Sequence, residues 1–199
     1  MTSPMNTPAN TDPEALAARE RLPDALRVLV EELPREGWAA HPGFSELIRF
    51  WLDRHLMFRR LLDLLREDAE AAEAGRLDAE GFARRLHRHG GLFVGELDAH
   101  HRIEDAHYFP VLQTRDPRVE RGFAILDRDH HALEEALGLF AARANAVLRG
   151  AGEAAGARNR AGALLREVEG FAPLLDRHLV DEEELVVPVL LRHAPDGLV

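Results

Sequence analysis

Two stretches decide how this chain reads: His100-His101-Arg102-Ile103-Glu104-Asp105-Ala106-His107-Tyr108-Phe109-Pro110 and His178-Leu179-Val180-Asp181-Glu182-Glu183-Glu184-Leu185-Val186-Val187-Pro188. In both, a Glu follows the leading His by four residues and a Pro follows it by ten. On a helix, residues four apart project from one face, so each His–Glu pair can grip one metal site. Two such helices facing each other supply two imidazoles and two carboxylates, enough to begin a dinuclear iron or manganese centre.

The chain around these motifs is helical in pattern. β-branched runs with alternating polarity are missing, and apolar residues recur at spacings of three and four. The spacing predicts a short helix over Pro13–Leu33 and then four long ones, over Gly43–Ala74, Asp78–Thr114, Asp116–Leu148 and Ala157–His193. Asp78 is read as an N-cap, and Asp116-Pro117 as an N-cap followed by Pro in the first turn. Short connections make consecutive helices antiparallel. The expected fold is therefore all-α, an up-down-up-down four-helix bundle over 41–193 with a short extra N-terminal helix and linker over 14–40. Residues 1–13, rich in Thr, Pro and Asn, are expected to be a disordered tail and not a signal peptide.

Each long helix carries an apolar stripe that His interrupts. The first reads Ile48, Trp51, His55, Phe58, Leu62, and the third reads Phe123, Leu126, His130, Leu133, Leu137. In the second and fourth, Glu104 and Glu182 interrupt the stripe as well. At about 1.5 Å per residue, His55, His100, His130 and His178 each lie roughly 18–22 Å from helix ends that share one face of the bundle. A lone His in an apolar stripe is more often a hydrogen-bonded core residue than a ligand. Four at one depth, two of them paired with Glu, reverse that, because unpaired ionisable groups in a core are costly. The candidate metal ligands are His55, His100, Glu104, His130, His178 and Glu182. Periodicity ranks Glu104 and Glu182 above His101, which lies about 100° around the helix from His100 and is expected at the surface or beside a ligand. His107 is expected to line the pocket or hydrogen-bond a ligand, Tyr108 is expected to pack in the bundle with a place beside the metals as the alternative, and His131 is the alternative to His130 should the register slip by one.

Composition narrows the chemistry. The chain has 199 residues, no Cys, and 25 basic residues that are all Arg. Thiolate zinc sites, iron–sulfur ligation, thiol nucleophiles and Schiff-base lysines are thereby excluded. A formal net charge of -10 argues against nucleic-acid partners and against anionic membrane surfaces. No apolar run approaches the roughly 20 residues of a membrane span, and a cytoplasmic location is expected. Mixed imidazole and carboxylate donors suit non-haem iron, with manganese and zinc as competitors.

The order His, His-x3-Glu, His, His-x3-Glu over four helices resembles the hemerythrin-like, or HHE cation-binding, family. Phe109-Pro110 after the second-helix motif and Asp129-His130-x-x-Leu133 in the third helix match its pattern too. The resemblance covers about residues 41–193. It implies a four-helix bundle holding two iron ions with an oxo or hydroxo bridge. His55, His100, His130 and His178 would be terminal ligands, and Glu104 and Glu182 bridging carboxylates. It implies a small ligand (dioxygen, nitric oxide or peroxide) and an external electron donor, hence an oxidoreductase acting on nitric oxide or peroxide. Other roles in the family are metal or gas sensing through a protein partner, iron storage and iron–sulfur repair. The oxygen-carrying members have a second His four residues after the third-helix His. Here that position is Glu134, a candidate for a further ligand or for a hydrogen-bond acceptor to one, and its identity argues against reversible oxygen carriage. Repair members often carry a Cys-bearing N-terminal segment, which this chain lacks.

Overall fold

The computed structural model describes residues 12–153 and 155–193; apart from Asp12 and Pro13, the expected tail lies outside them. The described residues form helices joined by turns, with no strand among them. In chain order the α-helices are α1 (Val28–Glu32), α2 (Glu46–Glu73), α3 (Ala79–Ile103), α4 (Phe109–Leu112), α5 (Glu120–Arg149) and α6 (Ala157–His193). A π-helical turn over Glu104–Tyr108 joins α3 to α4. None of these helices is long and apolar enough to cross a membrane.

Local chemistry sets most of the ends. Ser45 caps α2 by accepting from the Ile48 N–H, and Asp78 caps α3 by accepting from the Gly81 N–H at 2.7 Å. Gly75 follows α2 with φ of 73°, the left-handed position that ends helices and that glycine adopts without strain. The expected second helix is three pieces: the Phe109 N–H reaches back five residues to the Glu104 carbonyl, so the chain takes one wide turn before Pro110. Pro110 has no N–H to give and would crowd the carbonyl four residues earlier, and the wide turn accommodates it. Asp116 does not open α5. Its carboxylate accepts from the Arg118 backbone and guanidinium, and the helix begins at Glu120.

The N-terminal helix expected over Pro13–Leu33 is mostly not a helix. Only Val28–Glu32 is α-helical, preceded by turns and a 3₁₀ turn at Asp24–Leu26. Pro23 interrupts any ladder, and the earlier turns direct Arg19 into the interior, where it is 7 % exposed. A tertiary ion pair has overridden local propensity there.

α2 packs against α3 and α6, and α5 packs against the same two helices. Two apolar cores result. One holds Phe58, Leu65, Phe93, Phe140, Phe171 and Leu179; the other holds Ile48, Trp51, Phe109, Phe123, Leu126 and Leu190. Between them, at one level of all four long segments, sits a layer of buried polar residues: His55, His101, Glu104, Asp129, His130, His178, Asp181, Glu182 and Glu183. The interrupted stripes of the sequence are this layer.

α5 and α6 approach closely just beyond the layer. A Cβ on Gly122 would stand 2.7 Å from Leu185 Cδ1, and Leu185 is fixed in the core at 1 % exposure. Gly122→Ala should therefore destabilise the protein by about 1–3 kcal/mol through overpacking, although Ala is the better helix former. Chemical denaturation of the two proteins measures the sign directly.

Candidate metal centre

Donor atoms from five elements converge in the polar layer and fall into two groups. His55, His100, Glu104 and Glu182 form one, and His101, His130 and His178 the other; within each, one donor atom per residue lies within 4.8 Å of every other. α2 carries His55, the end of α3 carries His100 and His101, and the π turn opens at Glu104. α5 carries His130, and α6 carries His178 and Glu182.

The two glutamates connect the groups. Glu104 Oε1 lies 2.9 Å from His100 Nε2, while its other oxygen, Oε2, lies 3.5 Å from His130 Nε2. Glu182 Oε2 lies 3.5 Å from His55 Nε2 and 3.4 Å from His178 Nε2. Its Oε1 accepts from the Trp51 indole N–H at 2.5 Å, which fixes the carboxylate plane. Each glutamate thus reaches one imidazole of each group, as a carboxylate shared between two cations would.

The back of the site is built in the same sense. His130 Nδ1 faces Asp105 Oδ1 at 2.7 Å, His55 Nδ1 faces Glu183 Oε1 at 3.0 Å, and His178 Nδ1 faces Asp129 Oδ2 at 3.5 Å. A carboxylate on Nδ1 keeps the proton there and turns Nε2 inward as a free lone pair, the usual arrangement behind a metal-bound imidazole. Glu183 is held in turn by Arg59 and Arg35.

The inner atoms have no such partners. Both Glu104 oxygens, Glu182 Oε2 and the Nε2 atoms of His101, His130 and His178 are buried without a hydrogen bond. His55 Nε2 and His100 Nε2 face each other at 3.2 Å, so at most one proton, or one cation near both, fits between two lone pairs. Burial drives His100 down to about 3, partly offset by Glu182. Burial and the Glu182 charge push the Glu104 carboxyl well above the usual carboxylate range. Buried carboxylates and imidazoles left this way cost several kcal/mol unless paired or coordinated. The donor set fits divalent or trivalent cations: nitrogen and oxygen donors only, with carboxylate charge to compensate them.

A model of the hemerythrin HHE cation-binding domain family matches residues 46–191, nearly three quarters of the chain. The chain belongs to that family. Searches of curated proteins and of solved structures return no match. The hemerythrin domain begins at the first residue of α2, so the turns and α1 that precede it stand outside the matched region.

Within this hemerythrin domain the structure brings together all six residues proposed from periodicity and adds His101. Expected at the surface or beside a ligand, His101 takes the second place: it is 8 % exposed, and its ring stacks on His130 with centroids 4.1 Å apart. Two donor groups side by side take adjacent residues of one helix, His100 in one and His101 in the other. His100 and His101 are four and three residues before Glu104, so both lie beside it one turn back. The dipeptide His-His three residues ahead of Glu was the signal. With His101 the two groups hold five imidazoles and two carboxylates. Glu134 itself is exposed and belongs to neither group.

His107, expected on the inward stripe, is exposed. The wide turn at Glu104–Tyr108 rotates the residues after it, so that Phe109 is buried instead. Tyr108 is half-buried and packs edge-on against Trp51 at 4.9 Å. His131 is exposed with Nδ1 on the Asp127 carbonyl, and His130 is the inward residue. A cavity of about 290 Å³ reaches His100 and Glu104 between Phe50, Trp51, Ile103 and Tyr108, with Arg54 and Glu96 also lining it.

His101→Ala is expected to remove roughly one of two metal equivalents, as loss of a ligand from one group should. Glu134→Ala should leave metal content unchanged. Elemental analysis of proteins purified without affinity tags decides both, and equal content in wild type and His101→Ala would remove His101 from the donor set.

Proposed function

We propose that this protein is a non-haem di-iron protein that binds, and transfers electrons to, a small ligand: dioxygen, nitric oxide or peroxide. The observation that carries the reading is the buried, unpartnered donor layer in which Glu104 and Glu182 each reach imidazoles of both groups. In this reading the long helices over 41–193 run up-down-up-down, one cation sits among His55, His100, Glu104 and Glu182, and the other among His101, His130 and His178 with the same two carboxylates. Iron is favoured over manganese and zinc for an imidazole-rich set with carboxylates and no thiolate. When bound, an iron pair supplies two redox-active centres that a diatomic or peroxide ligand can reach.

The chain's own residues supply the rest. Glu104 and Glu182 would hold the cations between the two groups, and the Trp51 N–H keeps Glu182 from rotating away. Asp105, Glu183 and Asp129 hold the Nδ1 protons of His130, His55 and His178. The cavity between Phe50, Trp51, Ile103 and Tyr108 opens on the group with two imidazoles and not on the group with three. Its mainly apolar walls favour a small uncharged ligand and disfavour hydrated anions. Electrons come from a separate reductant.

Iron-replete expression should yield about two iron ions per chain. Stopped-flow mixing of the reduced protein with nitric oxide, peroxide or dioxygen should give a rapid spectral change with at least one of them. Metal content below one equivalent, or inertness of the loaded protein toward all three, would sink the reading. A stable and reversible dioxygen adduct would favour carriage over electron transfer. Ile103→Trp, which fills the cavity mouth, should slow that spectral change severalfold with metal content intact; an unchanged rate would mean that the ligand enters elsewhere.

A further inference from the structure

The turns ahead of the hemerythrin domain do more than cover it. Arg19 is buried, and its guanidinium joins two helices at the level of the donor layer. Its Nη1 donates to Asp129 Oδ1 at 2.8 Å, its Nη2 to Asp129 Oδ2, and its Nε to Asp181 Oδ2 at 2.8 Å. Both acceptors flank donor residues: Asp129 precedes His130 and faces His178 Nδ1, and Asp181 precedes Glu182. The same segment supplies the Leu22 N–H to Asp181 Oδ1 at 3.1 Å, and the Arg19 Nη1 also donates to the Glu14 carbonyl, closing the turn around the arginine. Arg35 repeats the arrangement on the other side of the site, at Glu183 Oε2, 2.6 Å away, whose Oε1 faces His55 Nδ1.

We propose that this segment is a built part of the metal centre, with Arg19 as a positioning residue that fixes His178 through Asp129 and Glu182 through Asp181. The inference rests on the dinuclear reading of the site. A planar fork with several fixed donors can hold two carboxylates at once in one geometry, which an ammonium cannot. Held so, Asp129 keeps one oxygen aimed at the His178 N–H, and the turn of α6 that carries Glu182 cannot slide along α5. His130 offers the contrast inside the same group: its Nδ1 partner Asp105 is 37 % exposed and has no arginine on it among the described residues. The two imidazoles are thus backed differently, one by a solvated carboxylate and one by a clamped one.

The test uses the full chain stripped of metal and titrated with cobalt(II). Imidazole N–H resonances shifted by the bound ion report each group separately. Arg19→Met should weaken cobalt binding at the His101, His130 and His178 group about 10–100-fold and shift or abolish the His178 N–H signal, while the other group, touched only through the shared Glu182, weakens less and the signal of His55 persists. Arg27→Met is the control. Arg27 pairs with Glu184 and anchors the same segment, but Glu184 faces no donor residue, so its loss should leave both affinities as in wild type. Should Arg19→Met fail to fold, Arg19→Lys, which keeps the charge without the fork, should weaken the same group more than the other. Equal weakening of both groups, an equal effect of Arg27→Met, or unchanged affinity in the Arg19 variants would overturn the positioning role. Wild type that takes up fewer than two cobalt ions would fail the dinuclear reading itself, which is a separate outcome.

Discussion

Everything in this structure is arranged around two buried glutamates whose side-chain oxygens, but for Glu182 Oε1 on the Trp51 indole N–H, have no hydrogen bond. Glu104 is 1 % exposed, and neither of its oxygens is hydrogen-bonded. Glu182 is fully buried, and one of its oxygens faces only imidazole nitrogens. A core does not retain such groups without compensation, because their desolvation is not returned by packing. The two apolar cores above and below supply the rigidity that holds the layer in place, and the layer in turn divides them.

The wide turn at Glu104–Tyr108 serves the same end. A regular helix through this point would carry Pro110 against its own carbonyls. Opening one turn by a residue resolves that, sets Glu104 at the start of the turn, and brings Tyr108 and Phe109 round to meet Trp51 and Phe123. π turns within α-helices are often found at functional sites, and here the turn begins at a shared donor. The Pro in the offset pattern is therefore tied to the geometry of the metal centre. The second copy of the motif behaves differently: α6 continues as helix through Pro188, which is buried, and no wide turn forms.

Charge is layered outward from the site. Imidazoles and two glutamates lie innermost, then Asp105, Asp129 and Glu183 on the Nδ1 atoms, then Arg19, Arg35 and Arg59 on two of those carboxylates. Burial by itself would raise Glu183, yet His55 and Arg59 hold it down to about 2. His178 shows the opposite balance: burial lowers it, while Asp129 and Glu182 outweigh that and lift it to about 9. Each ring of charge is thus set by the one outside it, and part of the outermost ring comes from residues ahead of the family domain.

Much of this was legible in the sequence. The His-x3-Glu pairs and interrupted apolar stripes place His55, His100, Glu104, His130, His178 and Glu182 at one depth, because helical periodicity and rise are local quantities that survive folding. Helix ends were legible at Asp78 and Gly75, where a cap residue acts on its own backbone, and not at Asp116, whose carboxylate turns to Arg118 ahead of the helix. Properties that depend on partners far along the chain were not. Inward placement of His101 requires knowing the width of the site, the outward turn of His107 requires the wide turn before Pro110, and the burial of Arg19 requires Asp129 and Asp181, which lie 110 and 162 residues away. The sequence by itself determined the helices, the polar layer and the chemical type of its donors. Only the tertiary structure decided how the donors divide into two groups, which glutamate oxygens they share, and which arginines stand behind them, since those are fixed by distances between helices that no local pattern encodes.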